Sequence, residues 1–225
     1  MTVPGDQYAP LPVETWAIVV AGGTGTRFGG PKQFAELEGR PLLSWSLEAA
    51  RRACAQVVAV LPATEIEGAQ TWEADVVVPG GPSRSASVRA GLAAVPESAE
   101  VIVVHDAARP LAGPEVWAAV ISEVAAGADG AVPAYPVSDT IRKKTPDGGS
   151  TTLDRTDLFA VQTPQAFKAS ALKRAHAGGG DATDDSALVE ALGGRVVLVP
   201  GSPDNLKVTT PSDLLIAAAL ARSTR

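Results

Sequence analysis

Cysteine is almost missing from this chain. Cys54 is the single thiol in 225 residues, which excludes an intrachain disulfide and suits the reducing cytoplasm. No apolar run approaches the ~20 residues needed to cross a bilayer, so no membrane span is expected. The first 15 residues, MTVPGDQYAPLPVET, have no basic stretch leading into an apolar one. They read as a loose Pro-containing leader rather than a secretory signal. Positive charge is not in excess either. The formal net charge is -6, whereas proteins that coat nucleic acid are usually basic, so nucleic acid is not expected as a partner. An anionic small substrate stays possible, but only through a local cluster of Arg and Lys.

What is present is ordinary globular composition, 45% hydrophobic and 20% charged, enough for one domain with a sizeable core over residues 16–225. Apolar, β-branched runs recur at 16–21, 56–61, 74–78, 101–105, 130–134 and 195–199. Their near-continuous hydrophobicity fits strands buried on both faces of a parallel sheet. Between them, 41–53, 83–94 and 114–126 read as helices; in the first, Leu43, Leu47 and Ala50 fall on one face. A final helix is announced by Thr210-Pro211-Ser212-Asp213, a cap, a first-turn proline and an acid, followed by LLIAAALA. The alternation predicts an α/β fold with a Rossmann-like, mainly parallel sheet flanked by helices. Residues 138–158 break the rhythm, with two polar β-prone runs around a Pro-Asp-Gly-Gly turn. They predict a protruding β-hairpin, either an arm that engages a partner or a plain surface feature.

The stretch AIVVAGGTGTRFGGPKQF, residues 17–34, carries the first chemical signal. The dinucleotide fingerprint G-x-G-x-x-G fails, because counting from Gly23 its last position is Phe28. The phosphate loop G-x-x-x-x-G-K-[ST] fails as well, with Pro31 before Lys32 and Gln33 after it. What remains is a glycine turn whose N–H groups can reach a phosphate chain, with Arg27 and Lys32 just beyond, or else a plain strand-to-helix turn. Asp106 falls at the carboxyl end of a buried strand, where α/β proteins bind ligands, though a buried or capping aspartate would also read this way.

The pattern GG-x-G-x-R-x-x-x-x-KQ after a first strand resembles the nucleotidyltransferases that act on sugar and sugar-alcohol phosphates. Further motifs follow in order: Gly80-Gly81-Pro82-Ser83-Arg84-Ser85-Ala86-Ser87-Val88, His105-Asp106-Ala107-Ala108-Arg109-Pro110, Asp139-Thr140 with Thr152-Leu153-Asp154-Arg155 on the hairpin, Gln162-Thr163-Pro164-Gln165, Thr183-Asp184-Asp185, and Asp204-Asn205-Leu206-Lys207-Val208-Thr209. Across residues 17–214 this order resembles the 2-C-methyl-D-erythritol 4-phosphate cytidylyltransferases of the non-mevalonate isoprenoid pathway. Two departures stand out: the short Phe28-Gly29-Gly30-Pro31 link, and Pro82 where family members can carry an acid.

The resemblance implies a nucleotide-diphospho-sugar transferase type of fold and transfer of a cytidylyl group from CTP to a polyol phosphate. Arg27, Lys32, Arg155 and Lys207 are implied as catalytic. Ala21, Gly22, Gly23, Gly25, Gly81, Ser87 and Asp106 are implied to bind CTP, with Asp106 beside Mg²⁺ or another divalent cation. Arg109, Thr140, Arg155, Thr163, Thr183 and Lys207 are implied on the acceptor side. Arg109 would grip the incoming phosphate or fix Asp106, and Thr183 could equally be a helix N-cap. His105 reads as structural. The hairpin is implied to dimerise the protein, completing the neighbour's site. The nearest rival is ribitol-5-phosphate cytidylyltransferase. Rivals of other kinds are an NAD-dependent oxidoreductase, opposed by Phe28 and the clustered cations, and a non-catalytic nucleotide-binding module.

Overall fold

A computed structural model describes residues 13–23, 25–67 and 72–223, so most of the expected leader lies outside the described residues. Strand β1 spans Thr15–Val20, and the Glu14 carbonyl already accepts from the amides of Glu100 and Val101. Glu14 and Thr15, expected within the leader, are thus part of the described sheet region. The remaining strands are β2 (Glu36–Leu37), β3 (Arg40–Pro41), β4 (Gln56–Leu61), β5 (Val76–Pro79), β6 (Val101–Asp106), β7 (Gly130–Pro136), β8 (Arg142–Lys144), β9 (Ser150–Thr152), β10 (Phe159–Val161), β11 (Gln165–Lys168) and β12 (Val196–Pro200). The helices are α1 (Leu42–Ala53), α2 (Arg84–Ala93), α3 (Pro114–Ala125), α4 (Ala169–Ala177), α5 (Asp185–Ala191) and α6 (Pro211–Ser223).

The main sheet runs β10-β7-β11-β6-β1-β4-β5, with β12 also paired to β7. β1 is parallel to β4 and β6, β4 to β5, and β7 to β12. The mainly parallel sheet is thus as expected, but β11 lies antiparallel between β6 and β7, and β10 is antiparallel to β7. Among the described residues no helix separates β7 from β11, and a strand that returns without a crossover helix runs antiparallel. Short, partly polar runs such as QAFK carry little period-2 signal, which is why β10 and β11 escaped the sequence pattern.

Alternate residues of β1 face opposite layers, as a pleated strand requires. Ala17 and Val19 pack with Leu47 of α1 and Trp117 and Val120 of α3, while Ile18 packs with Val88 of α2 and Leu172 of α4. A smaller cluster of Leu37, Leu42, Val208, Ala217 and Ala221 seats α6 against β2 and α1. α6 is capped as its sequence predicts. The Asp213 carboxylate accepts from the Thr209 and Thr210 amides at 2.8 and 2.7 Å, while the Thr210 hydroxyl accepts from Asp213 N at 3.4 Å. The described residues leave Leu215 and Ile216 on its other side 73% and 54% exposed.

This layout fixes where a ligand can bind. From β1 the chain moves outward to β4 and β5, then crosses back to place β6 on the opposite side of β1. Helices before and after the reversal diverge, leaving a crevice at the carboxyl ends of β1 and β6. Val20 and Asp106 are register partners at that point. The predicted hairpin also forms, β8 and β9 pairing only with each other, with every residue of both exposed.

Candidate active site

A cleft of about 440 Å³ opens at this crevice. Its floor is the glycine turn after β1. Gly25 takes φ +65°, and a Cβ there would lie 1.8 Å from the Gly30 carbonyl oxygen, so only glycine closes this turn. The Gly25 carbonyl accepts from the amides of Phe28, Gly29 and Gly30, which folds the short link into a compact loop and turns Lys32 toward the cleft. Gly23 has open space where a side chain would be, leaving the backbone bare to a ligand. The opposite wall is Gly81 and the start of α2. There Ser87 Oγ accepts from Gly81 N at 3.2 Å and donates to Ser83 O at 3.0 Å, tying the wall to the helix. Ser83 caps α2, accepting from Ala86 N at 3.1 Å.

The charges lining the cleft are Arg27, Lys32, Arg84 and Lys207 against one carboxylate, Asp106. In a chain of net charge -6, that is a strong local reversal of sign. Asp106 is held from two sides, by Lys207 Nζ at 2.5 Å on one oxygen and Arg84 Nε at 3.2 Å on the other. Burial opposes its ionisation, but Arg84 and then Lys207 outweigh it and hold the carboxyl well below the usual range. Among the described residues Lys32 forms no ion pair with a carboxylate; its Nζ donates to the Val208 carbonyl at 2.7 Å. Burial first, then neighbouring Lys207, lowers its pKa from 10.5. Arg27 is exposed and makes no ion pair among the described residues.

Beneath the floor, His105 is fully buried and burial pushes its pKa down to about 4, so it is neutral. Its Nε2 donates to the Arg109 carbonyl at 3.1 Å, leaving Nδ1 to accept from the Thr163 hydroxyl at 3.2 Å. Thr163 Oγ1 accepts in turn from Asp106 N at 3.0 Å. This chain fixes the backbone that carries Asp106 and bears out the structural reading of His105.

All the residues implied for CTP line the cleft, as do Arg27, Lys32 and Lys207. The other acceptor-side residues do not. Thr163 is buried, its donor and one acceptor already engaged beneath Asp106. Arg109 N donates to the Asp106 carbonyl at 2.9 Å, but among the described residues its guanidinium makes no bond to the Asp106 carboxylate. Its Nη1 donates instead to the Asn205 carbonyl at 2.7 Å, in the loop before Lys207. Thr183 is exposed, and α5 is capped by Asp184, which accepts from Ser186 N at 2.9 Å, rather than by Thr183. Aspartate's carboxylate reaches N2 from the position directly before the helix, which Thr183 does not occupy. Thr140 and Arg155 sit out on the hairpin; Arg155 donates to the Ser138 carbonyl of the same arm. Arg84 is the cleft cation whose role the motifs left unassigned. Its main anchor, Asp185, is 101 positions away, and sequence spacing carries no trace of that contact.

Residues 15–223 match the family described as 2-C-methyl-D-erythritol 4-phosphate cytidylyltransferase. The chain belongs to this family. A 2-C-methyl-D-erythritol 4-phosphate cytidylyltransferase of Rhodococcus jostii (strain RHA1) is 43% identical over 212 residues, covering 91% of this chain and 93% of the relative. One of Streptomyces avermitilis is 42% identical over 236 residues, covering 95% of this chain and 94% of the relative. Among solved structures, the 2-C-methyl-D-erythritol 4-phosphate cytidylyltransferase of Thermus thermophilus superposes with a TM-score of 0.75 at 36% identity, covering 92% of this chain and 98% of that one. The 4-diphosphocytidyl-2C-methyl-D-erythritol synthase of Anaerococcus prevotii DSM 20548 gives 0.81 at 25% identity, covering 93% and 99%. The glycine turn and cation cluster are therefore those of a 2-C-methyl-D-erythritol 4-phosphate cytidylyltransferase family member, and the oxidoreductase reading is set aside.

Proposed function

We infer that this chain transfers a cytidylyl group from CTP to 2-C-methyl-D-erythritol 4-phosphate, giving 4-diphosphocytidyl-2-C-methyl-D-erythritol and pyrophosphate in the non-mevalonate isoprenoid pathway. The observation that carries this reading is the glycine turn facing four cations and one carboxylate at the carboxyl ends of β1 and β6. An acceptor phosphate oxygen attacks the α-phosphorus of CTP, the bond to the bridging oxygen breaks, and pyrophosphate leaves. The nucleophile is already ionised at neutral pH, so no general base is required. That agrees with a cleft lined by neither His nor Cys. The barrier is repulsion between anions and charge growth at phosphorus, which fixed cations lower. Lys32 and Arg27, which form no ion pair among the described residues, are free to meet the triphosphate, and Lys207 reaches it from the Asp106 side.

Asp106 is the hard oxygen donor available to a divalent cation. Mg²⁺ is commonly held by one or two carboxylates together with substrate phosphates and water, which a single aspartate in a phosphate cleft satisfies. Bound there, the ion would add Lewis-acid stabilisation of phosphate charge.

The acceptor half is completed by a second copy of the chain. The arm at 138–158 carries Thr140 and Arg155 away from their own cleft, presents the cations Arg142, Lys143 and Lys144, and leads into the exposed apolar Phe159 and Val161 of β10. A twofold dimer built on this face would bring each arm to the partner's site. The cytoplasm suits a CTP-dependent reaction and a protein with one thiol; among the described residues no helix is long and apolar enough to cross a membrane. Pyrophosphate release from CTP, with methylerythritol phosphate and ribitol phosphate compared as acceptors, tests the assignment. Faster release with ribitol phosphate would move it to the rival enzyme.

A further inference from the structure

Asp185, in the first turn of α5, is fully buried. A carboxylate in that position must be paired, and it has two partners. His176 Nε2, from the last turn of α4, donates to one oxygen at 2.9 Å, and Arg84 Nη1 donates to the other at 2.7 Å. Because an ionised carboxylate only accepts, Nε2 carries the proton, and His176 Nδ1 is left buried with no partner among the described residues. Arg84 then reaches Asp106 through its Nε, so a continuous chain runs His176–Asp185–Arg84–Asp106–Lys207 from behind α5 into the cleft.

Arg84 is badly placed for stability alone. It is the first residue of α2, where a cation opposes the helix dipole. Buried ion pairs contribute little net stability compared with apolar packing. The neighbouring segment is nevertheless laced to the start of α2: Ser83 donates to Asp181 at 2.6 Å, Ser85 Oγ exchanges bonds with the Ala182 backbone at 3.0 Å, and Arg89 donates to the Gly180 carbonyl at 2.8 Å. The two contacts of Arg84 also differ. The Asp185 bond is the shorter and lies out of solvent, while the Asp106 bond is longer and faces the cleft. Whatever takes Oδ1 of Asp106 displaces the longer contact and leaves Nη1 on Asp185. The guanidinium stays in place with a freed N–H facing the cleft.

We propose that Asp185, fixed by His176, is a positioning residue that holds Arg84 over the cleft so that Arg84 orients Asp106 in the free enzyme and donates to the nucleotide phosphates when Asp106 is engaged elsewhere. The donation to nucleotide phosphates and the kinetic arm of the test rest on the cytidylyl-transfer reading; the anchoring of Arg84 by Asp185 does not. The experiment compares wild type with Asp185→Asn, which keeps shape and removes charge, by pyrophosphate release and by ¹⁵N NMR of the arginine Nε–H groups, with Arg84→Lys used to assign the Arg84 signal. In wild type the Arg84 Nε–H should be protected from exchange without any substrate. In Asp185→Asn that signal should be lost or averaged, and kcat should fall by about ten- to a hundredfold, the scale of a small misplacement, with KM for CTP changing less than threefold. His176→Leu should reproduce both losses, and His176→Gln, which retains a donor, should recover most of each; this pair carries the test if Asp185→Asn does not fold. Unchanged kcat in folded Asp185→Asn or His176→Leu overturns the proposal, and so does a kcat loss with the Arg84 signal intact. If wild type released no pyrophosphate, the activity assignment would fail while the NMR comparison still judged the anchor.

Discussion

Lys32→Ala separates a catalytic cation from a structural strut. Of the cleft cations, Arg84 is committed to Asp185 and Asp106 and Lys207 to Asp106, so the field each presents to a phosphate is partly cancelled. Among the described residues Lys32 forms no ion pair and donates to a neutral carbonyl, Val208 O, so less of its field is cancelled before a triphosphate arrives. Removing one preorganised stabiliser of this kind costs about 10²–10³ in kcat, or ~2.7–4 kcal/mol of barrier. On the stability side, the mutation deletes one hydrogen bond to a carbonyl at the edge of an open cleft, where water can replace it, and a net loss of about 0.5–1.5 kcal/mol is the upper range. For a domain of this size that lowers Tm by only a few degrees. The assay is steady-state pyrophosphate release at saturating CTP and methylerythritol phosphate, alongside a thermal melt. A variant with near-normal kcat and a clearly lowered Tm would refute the reasoning, because Lys32 would then serve to clamp the loop at Val208.

The same lysine sets a pH dependence. Burial and Lys207 lower its pKa in the free enzyme, and its charged form is the active one, so the alkaline limb of kcat/KM should begin to fall at lower pH than an unperturbed lysine allows; a profile flat up to pH 10.5 would exclude this role. Gly25→Ala should raise KM for CTP more than tenfold, since a Cβ 1.8 Å from Gly30 O and a left-handed φ force the turn to reshape, and a KM within twofold of wild type would show the turn is not the phosphate cradle. Mixing Lys32→Ala with Arg155→Ala under subunit exchange should restore activity toward roughly a quarter of wild type, because half the dimers are mixed and each of those holds one intact site. Exchange without recovery would mean that Arg155 does not act across a dimer interface.

The residues for which sequence alone sufficed are those whose role depends on near neighbours. The glycine turn and its following cations fall within residues 22–32, so their spacing largely sets their geometry. β1, β4 and β6 are buried on both faces and read as unbroken apolar runs. The α6 cap closes within four residues. Tertiary structure decided whatever joins distant segments. Only the sheet order shows that β11 enters antiparallel between β6 and β7, since a four-residue strand has no periodicity to announce its direction. That Thr163 bridges Asp106 N and His105 became visible only once folding had brought these segments together. Arg84 stood in plain view within a recognised motif, yet its task depends on Asp185 and His176, brought to it by two helices too short to leave a clear helical pattern. Local chemistry is written in adjacent letters, but pairing between charges about a hundred positions apart exists only after the chain has buried its core and brought them into one low-dielectric space.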